Sequence, residues 1–232
     1  MNINDFSDNT VTLHEKPARK NKRLIIIVII LLVLAVTAVA CWFIFKGRSD
    51  KAKEEEIYKK YVEPIITNDK LIAEKPNPFG ETMYSYKPPE GGMSYQATYA
   101  PNDKIIQVQL IQSVVLDENF RPINDHFLNL LYIYHYGTDE AEYRLHITEI
   151  SDPGDQEGKS QKKMYIQDGT AQIELDTELN YIRGMGQKLI TDEDGLDLSE
   201  DEVRAIYEKY KDDVVALRGK MYALFGEENF KK

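Results

Sequence analysis

The chain has 232 residues, a formal net charge of −10 at pH 7 and a mean hydropathy of −0.47. Residues 47–232 carry 23 Lys/Arg against 36 Asp/Glu, a net of −13, which leaves no electrostatic footprint for nucleic acid or another polyanion and favours cations or a basic protein surface instead. The only cysteine, Cys41, lies in an apolar run, so the rest of the chain has no disulfide, no thiol nucleophile and no cysteine ligand.

Residues 1–23 are polar, lack any hydrophobic period and read as a disordered tail. Residues 24–45 are apolar apart from Thr37, long enough as a helix to cross the ~30 Å hydrocarbon core of a bilayer. Lys16, Arg19, Lys20, Lys22 and Arg23 precede this span, a positive-inside pattern that expects a cytoplasmic N-terminus and an extracytoplasmic C-terminal domain. Ala38-Val39-Ala40 also fits a signal-peptidase site, and Ala40-Cys41 loosely resembles a lipoprotein signal, so a lipoprotein processed at Cys41 is the alternative. The long basic leader and the continuation through Trp42-Phe43-Ile44-Phe45 favour an uncut, single-pass integral membrane anchor with an interfacial aromatic belt.

A stalk or linker follows at 46–75. Ile57, Tyr61 and Ile65 are spaced four apart among charges, which predicts a short amphipathic helix, and Pro64 should bend or end it near Val62–Glu63.

The remainder, 76–232, reads as the extracytoplasmic domain. From Thr82 to Asp176 the period falls to two: "MSYQATYA", "KIIQVQLIQSVVL", "HFLNLLYIYHYG", "YRLHITEIS" and "KKMYIQDGTAQIEL" alternate, separated by turn-rich "KPPEGG", "APND", "DENFRPIND" and "TDEAE". Asp168-Gly169 predicts a two-residue type I′ hairpin. About six strands without intervening helices give a mainly antiparallel α+β fold, either a sandwich or one curled sheet with a helix on it. That helix is predicted at 200–225: Ser199 and Glu202 form a capping box, and Gly226 stands at the C-cap. Its apolar seam is Val203, Tyr207, Tyr210, Val214, Leu217, Met221 and Leu224, at heptad spacing. The seam suits packing on the sheet or pairing with a partner helix, with packing favoured because three heptads with two core tyrosines are marginal for a coiled coil.

Catalytic motifs are absent: there is no G-x-S-x-G, no S-x-x-K and no P-loop or Rossmann spacing around "RGMGQK", where Gly184 and Gly186 mark a bend or close backbone approach. His126, His135 and His146 fall on strands, and one hairpin register sets His135 opposite His146 as a zinc pair, but no H-E-x-x-H spacing supports it. "TDEDGLDLSEDE" begins like a calcium loop with Asp192 and Asp194, then fails at Leu196, Asp197 and Val203; helix capping accounts for most of its acids, and weak divalent-cation binding is the residual expectation. No cofactor is expected. Thirteen of the fifteen tyrosines lie beyond the stalk, and Tyr132, Tyr134 and Tyr136 share one face of one strand: core residues or, if exposed, a binding face.

With no disulfide and no Asn-x-Ser/Thr sequon beyond the span, the composition suits a bacterial, Gram-positive type of envelope. The leading expectation is a non-catalytic accessory or scaffold component binding envelope or membrane proteins. The alternative is a sensor reporting a ligand or cation through the tail, and the third is an enzyme acting on wall polymer.

Overall fold

The computed structural model describes residues 21–89, 92–154, 164–189 and 195–232. The chain divides into two units, residues 1–51 and 52–232. The first holds most of α1 (Asn21–Ile57), the one helix among the described residues that is long and apolar enough to cross a membrane, as an anchor or a signal sequence. Its large apolar side chains from Ile26 to Phe45 are all at least half exposed, a surface that water does not favour. The tail, residues 1–20, lies outside the described residues.

In the second unit, α1 runs without interruption into a π-helical turn, Tyr58–Val62, and then α2 (Glu63–Ile66). A separate short stalk helix is therefore not seen: of the two effects expected of Pro64, a bend or an end near Val62–Glu63, the helical run does not end there but continues to Ile66. Proline cannot donate a backbone hydrogen bond, and the wider π turn reopens the ladder just before it, placing Pro64 in the first turn of α2, where a missing donor does no harm. Val62 and Ile65 are fully buried, so this run belongs to the domain core.

The domain is one open antiparallel sheet of nine strands in sequential order: β1 (Ile72–Ala73), β2 (Thr82–Tyr86), β3 (Met93–Ala100), β4 (Ile105–Gln112), β5 (His126–His135), β6 (Glu140–Ser151), β7 (Ile166–Leu175), β8 (Tyr181–Lys188) and β9 (Leu196–Asp197). The sandwich alternative is thereby set aside. Strands consecutive in sequence are neighbours in the sheet throughout, as antiparallel pairing allows.

The Asp168-Gly169 hairpin does not form. Both residues lie inside β7, where the register jumps from Glu149↔Gly169 to Ile150↔Gln167, leaving Asp168 as the extra residue of a bulge. A bulge inverts the phase of alternation within one strand, so the two runs flanking Asp-Gly imitate two strands around a turn.

One face of the sheet carries the core. Val108, Tyr132, Tyr143 and Leu175 form one cross-strand row, and Leu110, Leu130, Leu145 and Ile173 the next. The helical run Ile57–Ile66 and the C-terminal helix α3 (Glu200–Phe225) both cover this face. The capping box forms as read: Ser199 Oγ accepts from the Glu202 amide at 3.4 Å, and the Glu202 carboxylate accepts from the Ser199 amide at 2.8 Å. Where α3 crosses β8, Gly184 and Gly186 permit the approach: a Cβ on Gly184 would stand 2.6 Å from Val203 Cγ1.

Candidate functional site

The tyrosine row is the first candidate to place. Tyr132 and Tyr134 are fully buried and Tyr136 nearly so, so none of the three offers the exposed binding face considered above. Tyr132 packs between Tyr143 and Phe230, with ring centroids at 5.2 and 4.8 Å, and its hydroxyl accepts from the Lys231 amide at 2.8 Å. Tyr134 meets Tyr61 edge-on and donates to Asp139 at 2.7 Å. Tyr136 lies against Tyr58 and Tyr99. Tyrosine suits this layer because its ring fills the gap between sheet and helix while its hydroxyl reaches the rim.

The helix seam is equally internal. Val203, Tyr207, Tyr210, Val214, Leu217 and Met221 are buried against the sheet and are not available to a partner helix. At the last position Phe225 replaces Leu224, which is only half-buried. A straight helix of 3.6 residues per turn drifts away from a 3.5-residue seam, and by the sixth step the drift has moved the inward position by one.

The histidines are kept apart. His135 pairs with Glu140 and His146 with Asn129, so the register that would have brought the two imidazoles together is not adopted. Among the described residues no cluster of three or more His, Cys, Asp or Glu could hold a metal. Asp192 and Asp194 of the calcium-like loop lie outside the described residues; Leu196 and Asp197 form β9, and Glu202 caps α3.

His126 occupies a different setting, where the end of β5 meets α3. Its Nδ1 is 2.7 Å from Asp125, its ring lies 4.2 Å from that of Tyr210, and Asp213 approaches its Nε2 at 3.6 Å. Tyr210 and Lys209 both donate to Glu149, at 3.0 and 2.8 Å. The imidazole bond holds the Asp125 carboxyl below its ordinary range. The buried Nε2 makes no hydrogen bond among the described residues, and the cluster ties α3 to the sheet through Tyr210, Lys209 and Asp213.

The opposite face of the sheet is covered by no helix among the described residues. Its cross-strand rows are rich in amides: Gln96, Gln109, Leu131, Arg144, Glu174 and Arg183 in one, and Ser94, Ile111, Asn129, His146, Gln172 and Met185 beside it. The right-hand ends of these rows, on β5 to β8, enclose a cleft of about 370 Å³. Glu174 accepts both Nε and Nη2 of Arg183, at 2.7 and 2.8 Å, which keeps its carboxyl below the usual range and raises the guanidinium. Arg144 is likewise held by Glu142. Burial lowers the pKa of His146, so the ring is neutral at pH 7, and its Nε2 lies 2.6 Å from the Thr170 hydroxyl.

A second exposed feature is the excursion between β4 and β5. Asp117 closes it, its carboxylate accepting the amides of Asn119 and Arg121 at 2.8 Å, while Leu116 bridges Pro122. The bonds fix Phe120 in a left-handed conformation with φ 60°, and the residue is 68 % exposed. Ile123, 67 % exposed, is hydrogen-bonded to Val115, which is also exposed. Strand direction places this loop at the end of the sheet opposite the Pro101–Lys104 turn, where Lys104 pairs with Glu54 at 2.7 Å. Read as a sequence, "DENFRPIND" is only a turn; the signal it carries is Phe120 and Ile123, two large apolar residues among turn formers.

Comparison with known proteins leaves the site to be read from its own geometry: no family model, curated protein or solved structure matches this chain.

Proposed function

We propose that this chain is a single-pass membrane protein of a bacterial envelope, anchored by an uncut α1 with its N-terminus in the cytoplasm. Its extracytoplasmic domain is a non-catalytic accessory module that docks another envelope protein. The observation that carries this reading is the preformed loop presenting Val115, Phe120 and Ile123 to solvent. A large exposed aromatic held rigid by backbone hydrogen bonds loses little entropy on burial, which is the character of an interface anchor. The surrounding charges, Asp117, Glu118, Asp125 and Asp152 with Arg121, are predominantly acidic, as is the whole domain. The partner therefore offers an apolar pocket with a basic rim.

Crosslinking of the full-length protein in its own membranes, followed by affinity recovery and mass spectrometry, tests this. Wild type should recover defined envelope proteins, and Phe120→Ser with Ile123→Ser should lose them without changing the thermal transition. Recovery of the protein alone, or undiminished recovery by the double variant, overturns the reading. The same sample yields the N-terminal peptide, and a mature N-terminus at Cys41 would replace the anchor by a lipoprotein.

A further inference from the structure

The cleft on the sheet face that no described helix covers has a chemistry that neither the docking loop nor the core accounts for. We propose that it is a binding site for a neutral, polyhydroxylated ligand, an uncharged oligosaccharide, separate from the protein-docking loop.

Charge is the first argument. In a domain of net −13 the cleft is a neutral island: Arg183 is matched by Glu174, Arg144 by Glu142, and His146 carries no charge at pH 7. An anionic ligand would meet a guanidinium whose charge is already matched by a carboxylate bonded through two nitrogens, and a cationic one would meet a carboxylate already matched by arginine. Neither has an unmatched charge to meet.

Hydrogen-bonding geometry is the second. The Arg183–Glu174 pair fixes a planar array in which the guanidinium still has outward N–H donors and each carboxylate oxygen still has a lone pair. Adjacent donor and acceptor sites of this kind match neighbouring hydroxyls, each of which donates one bond and accepts another. Beside them, Asn129 accepts the Gln109 amide at 2.9 Å through its oxygen, which orients its own NH2 as a further donor, and Gln172 stands in the same row beyond His146. The neutral His146 ring is fixed by Thr170.

Apolar surface completes the site. Leu131 and the 70 % exposed Met185 flank the polar groups and supply contact for the C–H face of a sugar ring. The cleft volume, about 370 Å³, falls within the range of small-molecule sites, roughly 300–1,000 Å³. Because its parts stand on four adjacent strands rather than on loops, the site is preformed.

The test uses the full chain in detergent micelles, with chitotetraose and maltotetraose as probes, read by ligand-observed NMR and calorimetry. At least one should bind, and Arg183→Met and Glu174→Gln should each weaken that binding by about tenfold or more, since each breaks the paired array. Both side chains are on the surface, and unchanged thermal transitions will separate loss of the site from loss of fold. Phe120→Ser should bind the sugar as wild type does, so failure of the docking loop and failure of the cleft give different results. Absence of binding by both sugars, binding indifferent to Arg183→Met, or displacement of the sugar by inorganic phosphate would each overturn the proposal.

Discussion

Tyr132 and Tyr134 are neighbours on one strand, yet their hydroxyls and rings do different work. Tyr132 is enclosed by Tyr143, Tyr134 and Phe230, so Tyr132→Ala opens a ring-sized void and should lower stability by about 3–5 kcal/mol. In Tyr134→Phe the ring stays and only the bond to Asp139 is lost; Asp139 keeps its ion pair with Lys231 at 2.8 Å, and the cost should be about 1 kcal/mol. Urea unfolding of the full chain in micelles, followed by tyrosine fluorescence, measures both. Equal costs would mean that the row is held by its hydroxyls rather than by packing.

At the scale of elements, α3 packs tightly where it crosses β8 and leaves open space beside Gly219 on its outer side. Gly184→Ala drives a methyl into Val203, with the Gln172 carbonyl only 3.1 Å away, and should cost about 1–3 kcal/mol. Gly219 lies within α3 with nothing within 4 Å of an added Cβ, so Gly219→Ala should instead stabilise by about 0.5–1 kcal/mol, because alanine gives up less backbone entropy in a helix. Opposite signs for two identical chemical changes would confirm that the β8–α3 crossing is a close contact. The same denaturant series reads both.

For the whole molecule, pH acts from two sides. Asp139 is held below its ordinary 3.8 by Lys231 and Tyr134, and Glu174 below 4.5 by Arg183. Folded values lower than unfolded ones mean stability that is present above those ordinary values and is lost as pH falls through the folded ones. The tyrosines act in reverse. Burial pushes Tyr99 and Tyr210 from 10.0 to about 12, and raises Tyr132 and Tyr143 further. Between pH 10 and about 12 the unfolded chain sheds phenolic protons that the folded chain keeps, so stability falls as pH rises through that window. The urea midpoint should hold level through neutrality and drop on both sides, with tyrosinate absorbance appearing at the alkaline transition. Ionisation of Tyr99, Tyr132, Tyr143 and Tyr210 near pH 10 before any unfolding, read as tyrosinate absorbance present in wild type and missing from their Phe variants, would contradict the burial of the tyrosine layer.

Whatever depends on neighbours along the chain is legible before any fold is known. An apolar run of bilayer length, strand alternation, the Ser199–Glu202 cap and the inward seam from Val203 to Met221 are all local periodicities, visible without a fold. The sequence alone did not determine what depends on register or on which face is covered. Asp168-Gly169 became a bulge because its two flanking runs pair with the same strand, β6, and only the cross-strand partner distinguishes a bulge from a turn. Pro64 stayed in a helix because a π turn absorbed its missing donor. Tyr132, Tyr134 and Tyr136 could line a core or a surface by alternation alone; α3 and the run before Ile66 settled it by covering their face. The cleft is the extreme case: Asn129, Arg144, Glu174 and Arg183 come from four strands, and only hydrogen bonding between strands sets them side by side.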